Sequence, residues 1–211
     1  RMGSVRSGTG KVRTSRLEIR PYVPSDYAAW AKGLRSCAPA RNAYDKKRPP
    51  LRKLTRQHYL DWLKSKNELR KRDIQYVYAI CDRSTDDILG TIDFFILARL
   101  AFQNANLGYQ IHNNHWGKGY AKEAVKAAAL LAFKRLKIHR LEAGIEAGNR
   151  ASIAVMRSVG AKREGTRLKV YFDGKKWIDS EVYVLFSEDF GIRVKPTVRA
   201  RIRECWRAVE L

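Results

Sequence analysis

The chain has 211 residues, enough for one domain with a sizeable core, and its 45% apolar and 30% charged residues are those of a folded globular protein rather than a fibrous or disordered one. Lys and Arg number 43 against 21 Asp and Glu, a formal net charge of +22, which draws polyanions and repels free cations. No apolar run approaches the ~18 residues of a membrane span, the N-terminus RMGSVRSGTGKVRTS has no secretory apolar stretch, and neither the three scattered cysteines (Cys37, Cys81, Cys205) nor the four histidines (His58, His112, His115, His139) have metal-ligand spacing, so no metal, no disulfide framework and a reducing, cytoplasmic location are expected.

Residues 1–15, rich in Gly, Ser and Arg, read as a flexible basic tail. Arg16-Leu17-Glu18-Ile19-Arg20 alternates polar and apolar as a strand does, and Pro24-Ser25-Asp26 starts a helix running from Tyr27 to Leu34. Residues 35–54, with Pro39, Pro49, Pro50 and many Arg and Lys, read as a long, exposed basic loop. Thr55 caps a helix from Arg56 to about Arg70 that buries Tyr59, Leu60 and Leu63. Ile74 to Cys81 and Ile88 to Leu97, joined by the turn Ser84-Thr85-Asp86-Asp87, make an antiparallel hairpin, and a third strand runs from Asn106 to His112.

A helix from Tyr120 to about Leu136 follows, with Ala121, Ala124, Val125, Ala128 and Ala132 on one buried face whose small side chains allow close approach to a sheet. His139 to Glu146 is a strand, and Asn149 opens a short helix that ends at Gly160. Two final strands, Lys162 to Tyr171 and Trp177 to Phe186, meet at the turn Asp173-Gly174. From Pro196 on, Val198, Ile202, Cys205, Trp206 and Val209 form the apolar stripe of a basic amphipathic helix, which either packs on the body or a dimer partner, or docks on RNA or an anionic surface. The organisation expected is a tail (1–15), one domain (16–190) and a basic C-terminal helix (191–211).

The chemistry concentrates where a strand, Leu107-Gly108-Tyr109-Gln110-Ile111, leads through Trp116-Gly117-Lys118-Gly119 into the helix at Tyr120. Two glycines let successive N–H groups turn into one concavity. The helix start adds unpaired amides and the positive end of its dipole. Together they make a seat for a phosphate or pyrophosphate, although a glycine turn before a helix is also an ordinary structural feature. The stretch is not a Walker loop, since G-x-x-x-x-G-K-[ST] is absent, and it follows antiparallel strands rather than opening a dinucleotide-binding βαβ unit.

The pieces LGYQI, WGKGYAKEA, IHRLEAGI, NRAS and SVGAKREG followed by YFDGKKW, with an early LEIRPY, occur together and in order between the two tails. In this the chain resembles the GNAT acetyltransferases, and closely their RimJ/RimL branch, which acetylates protein N-termini including those of ribosomal proteins. The resemblance implies an α/β (α+β) GNAT fold: a mixed, mostly antiparallel sheet of about seven strands, flanked by helices and splayed between its fourth and fifth strands, with acetyl-CoA in the split. It implies that the backbone of Gln110, Ile111 and His112 pairs with the pantetheine arm. The loop Trp116, Gly117, Lys118, Gly119, Tyr120 and Ala121 would hold the pyrophosphate. Gly119 and Ala121 match the family's Q/R-x-x-G-x-G/A pattern, whose first position here is Trp116.

Asn149 is implied at the cofactor arm and Ser152 at the departing sulfur, with helix capping as the plain alternative for both. Transfer to an amine also needs a base. Glu142 and Glu146 share one strand face, which the resemblance turns toward the active site; Glu142 is the first choice and Glu146 the second. Ion pairing in so basic a chain, or a relayed water, are the alternatives. The expected acceptor is a protein N-terminus, ribosomal among the candidates, with ribosome or RNA contact through basic patches and a monomer or homodimer as the assembly. A small-amine transferase and an inactive RNA-binding scaffold are the competing readings.

Overall fold

The structure is a computed structural model that describes residues 10–45 and 49–196. Eight strands form one sheet: β1 (Val12–Arg13), β2 (Leu17–Pro21), β3 (Gln75–Asp82), β4 (Ile88–Ala98), β5 (Asn104–Ile111), β6 (Arg140–Ile145), β7 (Lys162–Phe172) and β8 (Trp177–Phe186). Their order is β1-β2-β3-β4-β5-β6-β8-β7, and every neighbouring pair is antiparallel except β5–β6. Four helices flank it: α1 (Tyr27–Ser36), α2 (Arg56–Lys71), α3 (Tyr120–Arg135) and α4 (Arg150–Ser158). Among the described residues no helix is long and apolar enough to cross a membrane.

Strand alternation sorts the core into two layers. Tyr78 and Ile80 of β3, with Leu17, Ile19, Ile92 and Phe94, pack against the alanine-rich α3. Val77, Ala79 and Cys81 face the other way, onto Tyr59 and Leu63 of α2 and the Trp30 and Trp62 rings. The alanines decide how α3 seats: Ala124, Ala128 and Ala132 are fully buried, and Leu131 and Phe133 are buried beside them.

The sheet opens between β5 and β6. Their parallel pairing covers only Asn104–Asn106 against Arg140–Glu142, yet β5 runs on to Ile111 and β6 to Ile145. β6 stays paired to β8 along its whole length. The divergence leaves main-chain edges of both strands facing a gap, where a ligand's polar groups can take the place of a ladder.

The structure adds particulars to these expectations. The sheet has eight strands rather than about seven, because β1 joins at the edge. Residues 10–15 are therefore folded rather than tail, with Thr14 bonded to Glu123 of α3. The 35–54 loop is anchored where described: Asp45 is buried and accepts from Asn113 Nδ2 (2.8 Å) and the Arg41 amide (3.0 Å), and Asn113 Oδ1 accepts from the Ala38 amide (2.7 Å). The chain packs on past residue 190, with Phe190 against Phe133 and Ile192 on the core. The amphipathic stripe from Val198 to Val209 lies outside the described residues.

Candidate active site

The start of α3 is built by backbone conformation. Gly117 (φ 78°) and Gly119 (φ 77°) are both left-handed, a region where a Cβ is strained. A Cβ on Gly117 would meet nothing within 4 Å, so glycine is required there for its angle and not for room. Gly119 is the N-cap and offers no side chain. The first intrahelical bond runs from the Glu123 amide to the Gly119 carbonyl (3.2 Å), so the amides of Gly119, Tyr120, Ala121 and Lys122 have no helical acceptor. Among the described residues no other group accepts from these four. A cavity of about 480 Å³ opens onto them.

The strand residues Gln110 and Ile111, the loop residues Trp116, Gly117, Gly119, Tyr120 and Ala121, and Asn149 and Ser152 of the next helix all line this cavity. Lys118 does not; its carbonyl accepts from Arg16 Nη1 (2.9 Å). Arg16, which sequence reasoning did not single out, also grips Glu123 (2.6 Å) and lies over the Tyr120 ring (4.6 Å), tying β2 to the start of α3. Trp116 stands where the family pattern has Gln or Arg, and its indole Nε1 donates to the Ile111 carbonyl (2.8 Å), bracing the loop on the strand end.

His112, expected at the pantetheine arm, lines neither cavity. Its amide already donates to the Leu89 carbonyl (2.8 Å) and its carbonyl accepts from the His115 amide (2.9 Å). Its ring is buried against α1, where a Cβ on Gly33 would fall 2.7 Å from Cε1. Burial, aided by the nearby His115, lowers the ring pKa to about 4. Because the folded pKa lies below the unfolded one, the unfolded chain binds more protons between the two, and stability falls with pH across that window. We expect a loss of roughly 3 kcal/mol between pH 6.5 and 4 from this ring. Denaturant melts across that range should show a shallower slope in His112→Leu; an identical slope contradicts the assignment. Glu142, whose pKa is lowered, contributes its loss only below the ordinary carboxylate range.

At the other wall, Asn149 Oδ1 accepts from the Ser152 amide (3.2 Å) and caps α4. Asn149→Ala should cost ~1 kcal/mol without cofactor. A larger loss of acetyl-CoA affinity, read by calorimetric titration, would add the cofactor-arm role, and an unchanged affinity would leave the cap alone. The Tyr109 phenol donates to Ser152 Oγ (3.3 Å) and to its carbonyl (3.2 Å). Burial raises the Tyr109 pKa, so it holds its proton at neutral pH. The Y of LGYQI was the available signal for it.

A second cavity, of about 310 Å³, shares Tyr109, Gln110 and Ser152 with the first and extends between Thr91, Asp93 and Gly108 on one side and Ala143, Gly144 and Ile145 of β6 on the other. The two cavities therefore meet in the split.

Neither expected base lines either cavity. Glu142 is buried and receives Arg167 Nη1 (2.7 Å) and Nη2 (2.9 Å) and Arg140 Nη2 (3.0 Å). Burial alone would raise its pKa, but the two guanidiniums outweigh that and hold it below the usual carboxylate range. It is the ion-pair partner of the alternative reading, clamping β6 to β7. Glu146 lies one residue past β6 and accepts the Tyr171 phenol, whose pKa is pushed up to about 12 by burial and by that carboxylate. Among the described residues no cluster of three or more potential metal ligands exists.

Comparison with known proteins gives the geometry a context. The sequence profile described as an acetyltransferase (GNAT) domain matches residues 16–162. The probable N-acetyltransferase YjcK of Bacillus subtilis (strain 168) is 34% identical over 122 residues, 58% of this chain and 67% of that protein. The ribosomal protein uS5 alanine N-acetyltransferase of Escherichia coli (strain K12) is 27% identical over 124 residues, 59% of this chain and 64% of that one. Among solved structures, Mycobacterium smegmatis RimJ in complex with CoA-disulfide superposes with a TM-score of 0.70 at 17% identity, over 93% of each chain.

Proposed function

The chain belongs to the GNAT acetyltransferase family, and from that premise we propose that it carries an acetyl group from acetyl-CoA to the N-terminal α-amine of a protein, ribosomal proteins being the leading acceptor class. One observation carries the cofactor half of this reading: four main-chain amides at the positive end of α3 face a cavity that runs to Ser152 in the split. Acetyl-CoA fits that arrangement, because left-handed glycines keep the amides clear of side chains. Bound there, it supplies an activated thioester carbonyl.

The chain's own residues do the rest. The amides of Gly119 to Lys122 hold the pyrophosphate, the unladdered edge of β5 at Gln110 holds the pantetheine arm, and Trp116 and Arg16 keep the loop in register. Tyr109 holds a proton next to Ser152, where the thiolate leaves.

The acceptor half rests on chemistry and on likeness. The linings of the two cavities contain two carboxylates, both of them bonded: Asp45 to Asn113 and the Arg41 amide, and Asp93 to Gln75 Nε2. A polycationic small amine would approach a chain of +22 with little to receive it. The name of the uS5-acetylating relative points the same way. Contact of the basic surface with RNA, and a reducing compartment for Cys37 and Cys81, accompany this reading. Mass spectrometry of a panel of N-terminal peptides and small polyamines with acetyl-CoA tests it. Acetylation confined to peptide α-amines is expected; preferred acetylation of polyamines overturns the acceptor assignment.

A further inference from the structure

Resting on the cofactor half of the reading above, we propose that Tyr44 is a binding residue that bridges the mouth of the split, holding the cofactor arm under its ring and keeping water from the thioester. The split lies between β5 and β6. Whatever closes it must reach from the connection after one strand to the connection after the other. The segment between α1 and α2 does this: it is tied down on the β5 side, and its Tyr44 ring ends on the β6 side.

The near end is held by one buried side chain. Asn113, in the connection from β5 to α3, is 4% exposed. Its Oδ1 accepts from the Ala38 amide (2.7 Å), and its Nδ2 donates to the Ala38 carbonyl (2.8 Å) and to Asp45 Oδ2 (2.8 Å). The next residue, Asn114, donates from Nδ2 to Ser36 Oγ (3.2 Å), and the Arg41 guanidinium lies 5.8 Å from the Trp116 ring centre. Within the segment the Tyr44 amide donates to Asn42 Oδ1 (2.9 Å) and the Asp45 amide to the Asn42 carbonyl (3.2 Å). Tyr44 therefore projects from a turn whose base is fixed to the β5 wall.

The far end meets Gly148, in the connection from β6 to α4. A Cβ there would overlap the Tyr44 hydroxyl and lie 3.2 Å from Cζ, so the phenol tip rests on main chain in space that glycine leaves open. The landing point is braced. The Asn149 amide donates to the Glu146 carbonyl (2.8 Å), and the Glu146 carboxylate accepts the Tyr171 phenol. Tyr44 lines the cofactor cavity together with Gln110 of the β5 wall and with Asn149 and Ser152 beyond β6.

A ring in that place serves acetyl-CoA in two ways. It adds aromatic contact over the arm. It also excludes water from a thioester that water consumes. In that side reaction water adds to the acetyl carbonyl carbon, the C–S bond breaks, and acetate, CoA thiol and a proton leave with no acceptor modified. The second cavity, which Tyr44 does not line, leaves the acceptor a separate way in.

Two readouts test this in wild type, Tyr44→Ala, Tyr44→Phe and Gly148→Ala: the CoA dissociation rate by stopped flow, and acetate formed from acetyl-CoA without acceptor, by NMR. Tyr44→Ala should speed CoA release by about tenfold, ~1.4 kcal/mol, and raise acetate formation by a similar factor. Gly148 does not have a left-handed φ, so Gly148→Ala displaces only the flexible phenol tip. It should move both readouts in the same direction by a smaller factor. Tyr44→Phe keeps the ring and should recover most of the loss. Tyr44 is 39% exposed, so melting temperatures without cofactor should stay within about 2 °C of wild type. If Tyr44→Ala and Gly148→Ala bind CoA yet leave both readouts within about twofold of wild type, the bridge is wrong although the cofactor reading stands. If the wild type binds no CoA, the cofactor reading fails and this inference with it.

Discussion

Gly119→Glu is expected to abolish the acetyl-CoA-dependent rise in melting temperature. In the wild type, cofactor at a hundred times its Kd should add about 2.7 kcal/mol, or ~5–10 °C for a chain of this size. The substitution acts twice. A non-glycine residue at φ 77° costs ~1 kcal/mol or more, and a carboxylate is placed where amides and the helix dipole favour a phosphate. Since the nearest atom to a Cβ there is Arg16 Nη2 at 3.6 Å, the fold should survive with a modestly lowered melting temperature. Affinity should fall by about a hundredfold or more, ~3 kcal/mol. Differential scanning fluorimetry with and without acetyl-CoA reads both effects; a full ligand shift in the variant would move the phosphate seat elsewhere.

Gly90→Ala should produce the largest loss of stability of any single methyl added to the sheet. A Cβ at Gly90 would lie 2.1 Å from the Gln110 carbonyl oxygen and 3.0 Å from the Ile111 Cα. Those atoms are backbone, so relief requires moving the end of β5 rather than turning a side chain. Overpacking of this kind costs ~3 kcal/mol, equivalent to a drop of ~6–12 °C. The same movement displaces Gln110, which lines both cavities, so cofactor binding should weaken too. Thermal melts and calorimetric titration check the pair of effects. A variant as stable as wild type would mean that β4 and β5 pair differently from the register described.

The regular elements were legible because their signals are local. The 3/4 spacing of alanines announces α3, Thr55 and Asn149 announce the caps of α2 and α4, and Asp173-Gly174 announces the β7–β8 turn. The phosphate seat was legible for the same reason, since two glycines and a helix start lie within a few residues. What was not legible depends on partners distant in the chain. β1 is two residues long and exists because it pairs with β2 and because Thr14 reaches Glu123, 109 residues away. The anchoring of the 35–54 loop depends on Asp45 meeting Asn113. Sequence leaves Glu142 as either base or ion-pair partner, and Arg167, from β7, closes on it. Each miss is a tertiary contact overriding a local pattern, which periodicity does not encode.

The most direct test is a backbone amide NMR titration of the 15N-labelled chain with CoA. The largest perturbations are expected at the amides of Gly117 to Lys122 and at Gln110, saturating together. Saturable binding that leaves those resonances unmoved while shifting others would contradict the account.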